Sequence, residues 1–265
     1  MSFVQKHRPA EDLLKKYGIT SPNEIDLEAI AYCEGVKIKY KQLDGCEARL
    51  VGYRNRAVAT ITTDVSPRRQ RFSLGHELGH WHYHRGRSFE CRVNDDGEPL
   101  SSKKTEEKQA DMYAADLLMP TYLFFPLASA IKRPCFDNIE ALSDQFNSSL
   151  IATSIRYIDA NTIPAILVCH GQQGRKWFKR SKDVPERWFP NDQLDADSFA
   201  MDVLYKGDIQ RHPNKIGANS WFNRSEAYNY DILEHSRKIG EDVYTLLIIE
   251  NDVMLEERSY SRGWR

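Results

Sequence analysis

His76 and His80 stand four residues apart with Glu77 beside the first, inside the stretch Phe72-Ser73-Leu74-Gly75-His76-Glu77-Leu78-Gly79-His80-Trp81. On a helix the two imidazoles fall roughly 40° apart around the axis and one turn apart along it, so both reach a single ion. Glu77 lies on the adjoining face, close to that ion but angled away. Two histidines that hold a metal, and a carboxylate that takes a proton from a metal-bound water, are the parts of zinc-dependent hydrolysis. Five-residue patterns also arise by chance, and a His-rich helix is often simply amphipathic. The motif therefore gains its weight from what accompanies it.

A tetrahedral zinc held by two histidines needs one more protein atom and one water. The segment from Lys104 to Met119, closed by Pro120, reads as a helix with Ala110, Tyr113, Ala114, Leu117 and Leu118 as its buried stripe. Glu107 and Asp111 are four apart on a face adjoining Ala110 and Ala114, whose small side chains permit close helix approach. Glu107 is the candidate third ligand, and Asp111 the residue that steadies a histidine through its free ring nitrogen. Glu106 competes for the ligand role, but its fourth neighbour is Ala110, and it falls about 100° from Glu107 on the helix. His84 continues the row of His76 and His80, yet one helix cannot wrap three consecutive turns around one ion. In three-histidine sites the second histidine is followed by a glycine three residues on and a histidine three beyond that; here Tyr83 and Gly86 occupy those places. His82 and His84 are expected at the surface or rim. The group opposite the metal that steadies the oxyanion stays open among Tyr83, His82, Tyr113 and the loop 85–102.

The elements that must position these residues are legible in outline. Helices are expected over 10–17 and 23–34, strands over 36–40, 47–53 and 57–63 in a small antiparallel sheet, and the motif helix from Ser66-Pro67 to about His84. Residues 85–102 read as a surface loop. A short helix over 122–130 is interrupted at Pro126, and 137–159 holds two helices joined by Asn147-Ser148-Ser149, a helix-turn-helix pattern. Its charges argue against direct DNA reading: the second helix offers only Arg156, and the first carries Glu140 and Asp144. A packing or substrate-docking module fits better. From Ile163 the pattern turns to strands, over 165–169, 175–179, 218–222, 228–232 and 243–250, with a helix over 197–205. The aromatics Trp177, Phe178, Trp188, Phe189, Trp221 and Phe222 are expected in its core.

The 265 residues suffice for one large domain or two to three small ones, and 41% hydrophobic with 28% charged content is that of a soluble globular protein. There is no run of 18 apolar residues and no signal-peptide core at the start, so a cytoplasmic location without a membrane span is expected. Five scattered cysteines argue against a disulfide framework and a cysteine-ligated metal; Cys33 and Cys169 are expected as small core residues. A net charge of -1 suggests no surface built to coat nucleic acid.

The pairing of Gly75-His76-Glu77-Leu78-Gly79-His80 with Glu107-Lys108-Gln109-Ala110-Asp111-Met112-Tyr113-Ala114-Ala115-Asp116-Leu117-Leu118-Met119-Pro120 resembles the ImmA/IrrE family of metallo-endopeptidases. The Ala-x-x-Leu-Leu-Met-Pro ending is the more diagnostic half, because unrelated peptidases share the first. The resemblance implies an intracellular protein that cleaves helix-turn-helix repressors and so releases stress-response, phage or mobile-element genes. It also implies, for a chain of this length, a C-terminal sensor-like domain of the GAF type. The expected architecture is thus α+β: a mainly helical zincin-like peptidase domain with a small antiparallel sheet (1–125), a helix-turn-helix-like module (126–162) and a mixed α/β sensor-like domain (163–265). In the expected mechanism Zn²⁺ is held by His76, His80 and Glu107, and Glu77 is the base. The partner is a protein substrate, a helix-turn-helix repressor. The competing reading is a non-proteolytic, metal-containing regulator that acts by binding a repressor or DNA.

Overall fold

In the computed structural model, which describes residues 7–85, 88–91 and 103–256, the chain divides into two compact units. One comprises Met1–Leu127 with Ser143–Ser149, the other Ala128–Leu142 with Leu150–Arg265. Both mix helices with sheet, so the class is α+β.

The first unit runs through α1 (Pro9–Lys16), α2 (Leu27–Cys33), β1 (Val36–Tyr40), β2 (Ala48–Tyr53), β3 (Arg56–Ile61), α3 (Pro67–Tyr83), β4 (Ser88–Cys91), α4 (Lys103–Leu118) and into α5 (Thr121–Ser129). The single helix expected over 23–34 is instead a 3₁₀ turn at Pro22–Glu24 followed by α2. Asp26 causes the break: its carboxylate accepts the backbone N–H groups of Glu28 and Ala29, both at 3.0 Å, and a side chain that caps a helix start cannot also sit within the helix. Cys33, at the end of α2, is exposed and not a core residue. Pro126 does not interrupt α5, which is continuous across it.

The sheet has the order β1-β3-β2-β4 and is not wholly antiparallel. β2 and β3 form a hairpin around Arg54 (φ 53°), β4 lines up antiparallel on the far side of β2, and β1 lies parallel to β3. The physical reason is the connection 41–47, long enough to carry the chain past the width of one strand, so that β3 inserts between β1 and β2. Ser88–Cys91, expected within a loop, supplies β4; residues 86–87 and 92–102 of that loop lie outside the described residues. Alternation puts Leu50, Ala57, Ala59 and Ile61 on the buried face of the sheet, and Leu74, Leu78 and Trp81 of α3 are buried as well. Each large side chain removed from water here contributes about 1.5–3 kcal/mol. The indole N–H of Trp81 reaches the Glu34 carbonyl at 2.9 Å, tying α3 to the end of α2. α1 is held to the α4–α5 corner by Arg8 paired with Asp116 and by the Thr121 N–H bonded to Glu11 at 2.8 Å.

α6 (Phe136–Gln145) and α7 (Leu150–Ala160) flank a turn in which Asn147 adopts a left-handed backbone (φ 48°). The second unit continues with β5 (Ala165–Gly171), β6 (Gly174–Arg180), α8 (Phe199–Met201), β7 (Asn214–Gly217), β8 (Asp231–Ile239), β9 (Asp242–Ile248) and α9 (Asp252–Leu255). Its five strands are antiparallel in the order β6-β5-β9-β8-β7, with α7 packed on β5 and β6. Residues 218–222, expected as a strand, begin with a 3₁₀ turn at Ala218–Ser220, after which Trp221 and Phe222 are buried in the core. The Trp221 indole donates to the buried Glu234 at 2.7 Å, so the apolar run serves as a plug. The run 228–232 is likewise the end of a 3₁₀ turn leading into β8. α8 starts at the cap Ser198, continues as a π-helical turn over Asp202–Lys206 and stops at Gly207 (φ 74°). Of the expected core aromatics, Trp188, Trp221 and Phe222 are buried, whereas Phe189 is exposed beneath the Arg175 guanidinium.

Candidate metal centre

Ser66 starts α3 by accepting the Arg69 N–H at 3.4 Å, with Pro67 in the first turn, and His84 ends it by leaving helical geometry (φ -132°, ψ 40°). The helix therefore carries two rows side by side: Gly75 and Gly79, and next to them His76 and His80. The glycine row is the contact surface. A Cβ on Gly75 would lie 3.3 Å from the Ala114 Cβ, and one on Gly79 would lie 2.8 Å from the Ala110 Cα and 3.0 Å from its carbonyl oxygen. α4 thus approaches almost backbone to backbone, glycine against alanine. That approach brings the α4 carboxylates to the imidazoles.

His76, His80 and Glu107 converge, with one ligand atom from each lying within 4.8 Å of the others. The two Nε2 atoms are 3.0 Å apart; Glu107 approaches His76 Nε2 at 3.1 Å and His80 Nε2 at 3.5 Å. Behind this group, Asp111 Oδ1 lies 2.8 Å from His76 Nδ1. Glu77 and His80 are fully buried, whereas the Glu107 and Asp111 side chains are 30% and 57% exposed, so the centre opens to solvent along its carboxylate edge. Burial works against a proton on His76, but the bonded carboxylates of Asp111 and Glu107 outweigh it and push the pKa up to about 9. Bonding to His76 and then His80 holds the Glu107 carboxyl down at about 2. The two ring nitrogens and the carboxylate lie close enough together to share one cation. Two imidazoles and a carboxylate are a donor set that suits zinc, so the residues fit the ion.

Across the glycine seam lies a different cluster. His82 is about 160° from His80 around α3. Its ring stacks on Tyr113 at 5.1 Å, and Tyr83 meets Tyr113 edge-on at 6.0 Å. These three, the side chains named above as candidate oxyanion donors, pack together, and the Tyr83 ring also lies 6.2 Å from that of His84. His84 remains with the metal row, its ring 5.8 Å from that of His80, and is half-buried. Glu106, the competing ligand, faces His84 at 3.8 Å. The glycines are the functional residues that the motif reading passed over. Their signal was available: glycines four apart on α3, matched by alanines four apart on α4.

Residues 31–157, which hold every residue of this centre, match the family model Peptidase M78, described as the IrrE N-terminal-like domain. This stretch belongs to that family. The IrrE N-terminal-like domain is of metallopeptidase type, and its group His76, His80 and Glu107 is able to hold a metal ion. Among curated proteins, none matches the chain significantly. Among solved structures, a Mycobacterium tuberculosis transcriptional regulator aligns over 90% of this chain and 73% of its own, with a TM-score of 0.55 and 11% identity. At that identity the likeness is one of fold. Among the described residues, no helix is long and apolar enough to cross a membrane.

Proposed function

We propose that the chain is a zinc-dependent endopeptidase that hydrolyses a peptide bond in a helix-turn-helix transcriptional repressor and so relieves repression. The observation that carries this reading is the convergence of His76, His80 and Glu107 directly beside the buried Glu77, in an IrrE N-terminal-like domain. Zinc held by those three residues supplies Lewis acidity toward a peptide carbonyl and toward a water. Glu77 takes the proton from that water on its carboxylate and delivers it to the nitrogen of the leaving amine. Asp111 accepts the Nδ1 proton of His76, which fixes the tautomer that turns Nε2 to the ion. The solvent-facing edge at Glu107 and Asp111 is where the substrate enters.

Within this reading, residues 1–125 do the chemistry in the cytoplasm, 126–162 dock the substrate protein, and 163–265 act as a sensor of the GAF type. The packing of α7 on β5 and β6 and its single cation Arg156 favour a docking role over DNA contact. The test is to incubate the purified protein with the helix-turn-helix repressor encoded beside its gene, with and without a chelator. Zinc-dependent fragments support the peptidase. Stoichiometric binding without fragments would instead establish the non-proteolytic regulator.

A further inference from the structure

Each imidazole of the α3 row faces a carboxylate of α4. His76 meets Asp111 at 2.8 Å, His80 meets Glu107 at 3.5 Å and His84 meets Glu106 at 3.8 Å. The first two contacts belong to the metal centre. The third lies outside it, since neither His84 nor Glu106 is part of the ligand group. Their side chains are 11% and 32% exposed, so solvent screens the pair less than it does a surface ion pair.

Its place in the fold gives the pair its meaning. His84 sits where α3 ends, its N–H bonded to the His80 carbonyl at 2.8 Å, and Glu106 sits in the first turn of α4, one residue before Glu107. Further along, Gly75 and Gly79 against Ala114 and Ala110 clamp the middle of the two helices. We propose that His84 and Glu106 are a positioning pair: they hold the first turn of α4 against the end of α3 and so aim Glu107 at the ion, without binding the ion themselves. Ligand sites tolerate displacements of only about 0.5 Å, and a tether one residue from the ligand controls displacements of that size. The proposal rests on Glu107 being a ligand and not on the protein cutting anything.

The experiment measures zinc affinity of the full chain by competition with a chromophoric chelator, together with the visible spectrum of the cobalt-substituted protein. Wild type is compared with Glu106→Gln, His84→Phe and the double variant. Each single substitution is expected to weaken zinc binding by up to about tenfold, no more than the loss of a residue bonded directly to a ligand, and to shift the cobalt spectrum. The double variant should lose no more than either single one, because the same interaction is removed by both. Glu106→Gln changes no shape and His84→Phe keeps a ring beside His80, so the zinc-free protein should still fold and melt in one cooperative transition in both. Wild-type affinity and spectrum in the single variants, or additive losses in the double, would overturn the proposal. Failure of the peptidase reading looks different: zinc bound with full affinity by the wild type, with no repressor fragments.

Discussion

Asp111 Oδ1 lies 2.8 Å from His76 Nδ1, on the side of the ring away from His80 and Glu107. The contact turns Nε2 toward His80 and Glu107, so under the proposed function Asp111 would set which nitrogen of the imidazole meets the ion without touching the ion itself. Asp111→Ala is expected to weaken zinc binding by about 10–100-fold while Glu107 and both histidines remain. Isothermal titration would check this, and an unchanged affinity would remove Asp111 from the centre.

The zinc-free protein should report the same contacts through pH. His76 is raised from its ordinary 6.5 to about 9, so its share of stability is complete below 6.5 and lost as pH climbs through 9. Glu107 is lowered from 4.5 to about 2, so its share is complete above 4.5 and lost as pH falls toward 2. The chelator-treated protein should therefore melt at progressively lower temperature from pH 6.5 to 9. Because zinc must displace the His76 proton, apparent affinity should fall by up to about tenfold per unit as pH drops below 9. A melting temperature that rises over that interval contradicts the His76 assignment.

Glu77→Gln replaces the proposed base with a side chain of the same shape that takes no proton. Loss of a general base typically costs about 10²–10⁴-fold, so repressor cleavage should vanish on ordinary assay times while zinc content stays near wild type. Cleavage by this variant at the wild-type rate would refute the assigned role.

The two glycines of α3 should differ when each is replaced by alanine. At Gly75 the new methyl meets Ala114 at 3.3–3.4 Å, which a small shift relieves; at Gly79 it would lie 2.8 Å from the Ala110 backbone. Overpacking of the second kind costs about 1–3 kcal/mol and pushes α4, with Glu107, away from the histidines. Gly79→Ala should thus melt lower and bind zinc more weakly than Gly75→Ala, and the reverse order would show that the seam is not where the helices touch.

Spacing along the sequence was enough to put His76, His80, Glu107 and Asp111 on two facing helices, because helical periodicity is local and α3 carries clear start signals in Ser66 and Pro67. What it did not contain was decided by distant partners. The parallel alignment of β1 depends on where β3 inserts. The 3₁₀ turn at Ala218–Ser220 depends on a buried carboxylate, Glu234, in another strand. The separation of His82 from the metal row was implicit in its angle on the helix, but the Tyr113 ring that holds it came only with the fold.

β1 pairs with β3 and not with β2, its nearest neighbour in sequence. Val36 meets Ala57 across a far longer loop than the one that joins Tyr53 to Arg56, so residues 7–40 are expected to join after the β2–β3 hairpin has closed, as a block. That block includes α1 and its cap residue Arg8, and Arg8 and Glu11 grip the α4–α5 corner. The N-terminal segment therefore acts as a clasp on the helix that carries Glu107. A fusion or deletion at the start of the chain, far in sequence from any ligand, is expected to register as a change in metal retention.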